Sequence, residues 1–473
     1  MTVVGKMTRP GCLALLVLAL ALPLAAQEGR WKELNAQAGE LYKQGDYARG
    51  IPVAREAVRM AEATFGPEHP NVALSLAYLG LMLRDQGKYA EAEPVFQRAL
   101  AIDEKALGPE HPNVARDLNN LGLLYEAAGS YAVAEPLFKR SLAILVKANG
   151  PDDLAVGISL DNLARLYEKQ GKYADAEPLF KRAADIVEKA LGPDHPDVAT
   201  ALGNLAELYD NEGKYSEAEP LLRRALAIDE KALGSDAPGV AADLSNLAEL
   251  YEEEGKYADA EPLLRRALAI DMKALGPQAP QVAINLSNLA ELLAERGKTA
   301  EAEALFRRAL AIKERAFGPE DEEVTAPLNN LALLYQAQGK YGAAEQLLRR
   351  SLAITEKALG PDHPDVATSL NNLAALYVDQ GKEDEAEALY RRALKIRFDA
   401  LGPEHPEVAD TLDNLAELYS DRGRYALAEE MLRDALAIRE KVLGPDHPDV
   451  ANALNNLAAL FITEEKFAEA EPL

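Results

Sequence analysis

The residues best equipped for chemistry are the histidines. All six, His69, His111, His195, His363, His405 and His447, stand in one short phrase, G-P-[ED]-H-P. Imidazole binds metals and moves protons near neutral pH. A shared metal needs each ligand nitrogen about 2 Å away. Histidines in successive copies of one helical unit would stand about 10 Å apart, the spacing of packed helices. The run His363, His405, His447 could hold a metal only weakly, since no further ligand stands beside it. These histidines read as polar residues in a tight turn before proline. No metal and no cofactor is expected. The chain also lacks a phosphate-binding loop, a nucleophile with paired histidine and acid, and a carboxylate dyad outside the repeat described below. It reads as non-enzymatic.

A second constellation is a column of asparagines: Asn120, Asn162, Asn204, Asn246, Asn288, Asn330, Asn372, Asn414 and Asn456. A carboxamide both donates and accepts hydrogen bonds. A row of them can grip an extended peptide backbone whatever its sequence. The competing use is a bond to the neighbouring helix that fixes how units stack. One turn beyond each asparagine come Leu123, Arg165, Glu207, Glu249, Glu291, Leu333, Ala375, Glu417 and Ala459, and further on Lys169, Asn211, Glu253 and Glu295. Glu207, Glu249 and Glu291 make the centre of this surface acidic. It is therefore expected to prefer a basic or neutral extended segment. The plainer reading is that these acids only aid solubility.

The elements that carry these residues repeat. Glycine recurs at 66, 108, 150, 192, 234, 276, 318, 360, 402 and 444, always 42 residues on. A period of this size means stacked helical units rather than one compact core. In the best-formed copy, apolar residues at 3.6 spacing predict helix A over about Asp197 to Glu212 and helix B over about Ser216 to Leu233. Gly213 ends the first helix, and Gly192 is expected to end the preceding one in a left-handed turn. Pro220 falls about one turn into helix B, where little is lost. On the wheel of the preceding helix A, Leu160, Leu163, Ala164 and Tyr167 form the buried side, and Ile158, Asn162, Arg165 and Lys169 the far side. Helix B buries Ala176, Phe180, Ala183 and Val187. Glu219 and Arg223 form an i, i+4 pair that recurs in later copies and reads as a solvated helix face.

The series Leu163, Ala164, Tyr167, Gly171, Tyr173, Ala176, Phe180 and Ala183 resembles the tetratricopeptide repeat motif. The longer unit, with LNNLA, GKYAEAEPL, RRALAI and LGPDHPDVA, is similar to the kinesin light chain variety. The resemblance covers about Trp31 to Leu473. It implies an all-α, right-handed superhelical solenoid of antiparallel helix pairs. About ten full repeats are expected, the first (31–65) degenerate with Gly50 where the motif has alanine, plus an incomplete eleventh over 449–473. It also implies that the A helices line a concave groove that holds peptides. Kinesin light chains take acidic peptides through basic groove residues. Carboxylates stand in those places here, so that preference does not carry over.

Lys and Arg total 51 and Asp and Glu 77, a net charge of −26. Such a chain repels nucleic acid and anionic lipid. Lys6 and Arg9 precede an apolar run from Cys12 to Leu22 and a small-residue end at Ala25-Ala26. This predicts a signal peptide over 1–26, cut after Ala26, and a secreted or periplasmic solenoid over 27–473. An uncleaved membrane anchor is the alternative, although the run is short for a span. Cys12 is the only cysteine, so the mature chain would carry no thiol. Because the eleventh unit stops inside its helix B, more chain is expected beyond Leu473. Three functions suit this sequence. A scaffold binding a protein or peptide in the groove leads. A recruiting arm of a larger enzyme or signalling protein and a self-associating envelope-structural protein are the alternatives.

Overall fold

The computed structural model of the chain describes residues 24–445 and 447–473. The leader read over residues 1–26, with Cys12, falls almost wholly outside them. Among the described residues lie 22 α-helices and one 3-10 turn, in consecutive antiparallel pairs. The chain is an all-α solenoid of helical repeats. None of the described helices is long and apolar enough to cross a membrane.

In the fifth repeat helix A runs Pro196–Asn211 and helix B Tyr215–Leu233. Each starts one residue earlier than apolar spacing places it. Pro196 occupies the first helical position, where its missing N–H has no partner to lose. Helix A is opened by His195, whose Nδ1 accepts the Asp197 N–H at 3.2 Å. The other five histidines do the same for the N–H two residues on. The histidine phrase is thus a helix N-cap. Composition does not suggest this, because Ser, Thr, Asp and Asn dominate that position. Asp153 and Asp321 cap in two repeats where histidine is missing, whereas Ala237 and Ala279 give their helices no side-chain cap.

The two glycines of the period do different things. At Gly213 the backbone is left-handed (φ 70°), and the Lys214 N–H bonds back to the Tyr209 carbonyl at 2.7 Å. That closes helix A as a Schellman-type turn. Gly192 departs from the expected left-handed helical value. It sits at φ 90° and ψ 158°, an extended positive-φ conformation open essentially to glycine alone. Pro220 is the sixth residue of helix B, so it removes a single intrahelical bond. Pro327 acts more strongly. In the eighth repeat helix A begins as a 3-10 turn, Glu322–Val324, before the α-helix Thr325–Ala337.

The chain divides into two compact units, one ending at Leu124 and the other running from Tyr125 to Leu473. In the first, Trp31 donates from Nε1 to Ser75 Oγ at 2.9 Å and stacks edge-on against Phe65. At Gly50, where the motif has alanine, a Cβ would stand 2.7 Å from Met82 Sδ, so the Met82 side chain fills the space that alanine would take. In the second unit one continuous apolar cluster runs from Ala164 to Phe461. Ala164, Ala176, Ala206 and Ala218 are wholly buried in it, and their small size brings helices A and B close. Each repeat thus shares its core with the next, as stacked repeats must.

Candidate partner-binding groove

The asparagine column follows the exposed side of the A helices unevenly. Asn120 and Asn162 are only 8% and 7% exposed. Asn246 and Asn456 are exposed, and Asn204, Asn288, Asn330, Asn372 and Asn414 lie between. Some of the carboxamides bond to the preceding A helix. Asn204 donates to Asp161 at 2.7 Å, and Asn330 donates to Glu291. At these two positions the carboxamide ties repeat to repeat. Asn288 instead lines an open cleft with Ser245, Glu249, Glu252 and Glu291.

Glu207, Glu249 and Glu291 are exposed on consecutive A helices, as their spacing predicts. Behind them lies a second row that spacing did not single out: Glu168, Asp210 and Glu252, each directly following the helix A tyrosine. These three are partly buried, and burial is the main reason their carboxyls hold protons so tightly. Asp210 is pushed up to about 6, by burial and then by Glu253, Glu249 and Glu207. Glu252 is pushed up to about 7, by burial and then by Glu295, Glu291 and Glu249. Glu168 also rises to about 7, although the Asn211 bond opposes this. Glu249 and Glu291 are raised as well, by burial and then by Glu253 and Glu295 respectively. The front and back rows repel one another across a cleft of about 370 Å³ that Glu295 and Tyr257 complete. The signal in the sequence is the acid after Tyr167, Tyr209 and Tyr251. Its half-burial depends on the next repeat's A helix, which one repeat read alone does not contain.

Arg165 and Lys169 break the acidic run but are not free cations. Both pair with Glu126, 6% exposed, at 3.7 and 3.1 Å. One carboxylate thus answers two cations, which remain partly exposed at this end of the groove. Glu417 is exposed further along. Of the histidines, His363, His405 and His447 each commit Nδ1 to capping. The described residues hold no group of three His, Cys, Asp or Glu side chains placed to bind a metal.

Antiparallel helix pairs stacked on a 42-residue period, with a polar strip along successive A helices, define a repeat scaffold. The chain belongs to the tetratricopeptide repeat family, whose model matches residues 34–105, 75–147, 118–187, 155–231, 211–273, 240–315, 323–397, 398–441 and 407–473. Repeats of this family commonly mediate protein–protein interaction and are generally non-catalytic. Similar solved structures include a Podosopora anserina putative kinesin light chain with nearly identical TPR-like repeats. It is 30% identical over 44% of this chain and 98% of that one, with a TM-score of 0.40. BtubC (BKLC) from P. vanneervenii is 26% identical over 50% and 91%, with a TM-score of 0.40. A tetratricopeptide repeat protein from Parabacteroides merdae is 19% identical over 65% and 99%, with a TM-score of 0.42. No curated protein matches the chain.

Proposed function

We propose that the chain is a non-enzymatic scaffold whose A-helix groove binds an extended segment of a partner protein, basic or neutral in charge. The observation that carries this reading is the mutual repulsion of Glu249, Glu252, Glu253, Glu291 and Glu295 around one cleft. Carboxylates crowded on facing helices cost stability unless protons or cations neutralise them. A lysine or arginine of the partner does what the proton otherwise does. The exposed carboxamide of Asn246 and that of Asn288, which lines the cleft, are then left to pair with its backbone.

Binding of this kind is linked to protons. A cationic segment must displace those held by Asp210 and Glu252 between about pH 6 and 7. Calorimetric titration of the protein with a Lys/Arg-rich peptide in buffers of different ionisation enthalpy measures that release. We expect binding, proton release, and weakening of both on Glu249→Lys with Glu291→Lys. Equal affinity for a Glu-rich peptide, or binding untouched by charge reversal, would overturn the proposal. Export belongs to the same reading. N-terminal sequencing of the protein from its expressing cell should begin at Gln27, and an intact Met1 would remove that part.

A further inference from the structure

Repeats far apart in sequence touch inside the second unit. Gly129 and Gly171 lie in the turns between helices A and B of the third and fourth repeats. A Cβ on Gly129 would stand 2.7 Å from His405 Cδ2 and 3.0 Å from Pro406 Cδ. A Cβ on Gly171 would collide with the ring of His447. The separation in sequence is the same for both pairs, so these are two rungs of one seam. Nothing lies within 4 Å of the corresponding position on Gly213, Gly255, Gly297 or Gly339. The solenoid has come round far enough for the tenth and eleventh repeats to lie against the third and fourth.

The seam is built from polar parts. His405 accepts the Glu407 N–H on Nδ1 at 3.2 Å, and its ring lies against the turn at Gly129, facing the Ala127 backbone. With Nδ1 already an acceptor, Nε2 carries the proton and is turned toward the Ala127–Gly129 turn. One neutral imidazole thus caps its own helix and packs against a distant turn. His447 caps through the Asp449 N–H at 3.0 Å while its ring covers Gly171. The phenol of Tyr173, two residues further on, feels the Asp449 charge. Between the two sides lies a cleft of about 480 Å³. Its rim carries Glu135 and Lys172 on one side and the Glu404–Lys441 ion pair on the other.

We propose that His405 and His447 latch this turn of the solenoid onto the glycine turns at 129 and 171, and that acid releases the latch. Protonation removes the Nδ1 lone pair that caps the helix and places a charge in a buried contact. Both rings resist it. Burial lowers the proton affinity of each, and Arg397 adds to this at His405 and Arg439 at His447. Glu407 and Asp410 at His405, and Asp449 at His447, oppose that lowering without cancelling it. A base held below its ordinary value stabilises the closed form above about pH 6.5, and this is lost as pH falls further. The latch fixes the pitch of the array, hence the spacing of groove residues on successive A helices.

Pulsed EPR on the full chain tests this, with Cys12→Ser and spin labels at Val133→Cys and Val442→Cys, which line opposite sides of the cleft. The label pair should give one short, narrow distance at about pH 8 and a broader one, longer by about half a helix diameter or 5 Å, at about pH 5. His405→Asn with His447→Asn keeps a good N-cap residue but cannot span the seam. It should show the long distance already at the higher pH and no further response to acid. His195→Asn, at a capping histidine with a 42% exposed side chain, should behave as wild type. A short distance that survives acid in the wild type, or survives the double substitution, overturns the proposal. The wild-type pH series decides even if the double variant fails to fold.

Discussion

The Tyr251 hydroxyl donates to Glu219 Oε1 at 2.8 Å, tying helix A of the sixth repeat to helix B of the fifth. Arg223, one turn beyond Glu219, bonds the same carboxylate at 2.8 Å and reaches the Tyr251 oxygen at 2.6 Å. The i, i+4 pair is therefore part of an inter-repeat clamp rather than a bare solvated face. It recurs at Tyr335–Glu303, Tyr377–Glu345 and Tyr419–Glu387. Arg223 first and Tyr251 second hold the Glu219 carboxyl below its ordinary value. Its contribution is present at neutral pH and lost as pH falls below about 4. Tyr251→Phe should cost about 1 kcal/mol. The readout is a lower urea midpoint with faster amide exchange in the fifth and sixth repeats.

The clamp has a variant at the seventh repeat. Leu293 stands where the third to sixth and the eighth to tenth repeats carry tyrosine, and Glu261 is held instead by Arg265, Arg296 and Lys298. Arg296→Ala should therefore destabilise this interface by about 1 kcal/mol. Adding Leu293→Tyr should recover most of that loss. Urea midpoints of the two single variants and the double close the cycle, and additive effects would show that tyrosine and arginine are not substitutes.

One buried position between helix B and the next helix A changes from repeat to repeat. Asp271 accepts from Asn285 at 2.8 Å, whereas one interface earlier Asp229 faces Asp243. Burial first, and Asp229 second, push the Asp243 carboxyl up to about 7. An acid whose folded value is raised binds more protons folded than unfolded, so it costs stability as pH rises. The penalty starts above about pH 4, where the unfolded carboxyl ionises, and is complete above about pH 7. Asp243→Asn copies the arrangement at Asn285. It should stabilise by about 1 kcal/mol at pH 8, after discounting for partial exposure, and by nothing at pH 4. Thermal melts at the two pH values check the sign.

Much of this could be read from one dimension. The glycine period and the Leu163, Ala164, Tyr167 face place the helices to within a residue or so, because each repeat's own apolar stripe determines them. Glu207, Glu249 and Glu291 were legible for the same reason, since they share a face with the asparagines. What was not legible depends on neighbours. The half-burial of Asp210 and Glu252 needs the following A helix, and the pairing of Arg165 with Glu126 needs the preceding one. His405 meets Gly129 only because a small rotation per repeat accumulates over many repeats, and no single unit encodes that sum.

The asparagine column divides by environment, and the division can be measured. Asn204 and Asn330 donate to Asp161 and Glu291 on the preceding A helices. Truncation there takes a donor from the half-buried Asp161 carboxylate, at about 1–2 kcal/mol, and from the exposed Glu291 carboxylate, at less than about 1 kcal/mol. Asn246 is exposed, and Asn288 opens onto the acidic cleft. Truncating these should change stability by less than about 0.5 kcal/mol. A bound peptide backbone would miss them, and its affinity should fall about three- to tenfold for the pair, as expected for one or two lost hydrogen bonds. Asn204→Ala and Asn330→Ala should thus lower the urea midpoint. Asn246→Ala with Asn288→Ala should leave it unchanged and weaken capture of a Lys/Arg-rich peptide. If all four substitutions lower stability alike and none alters capture, the column serves stacking throughout, and the grip on the partner must come from the carboxylates alone.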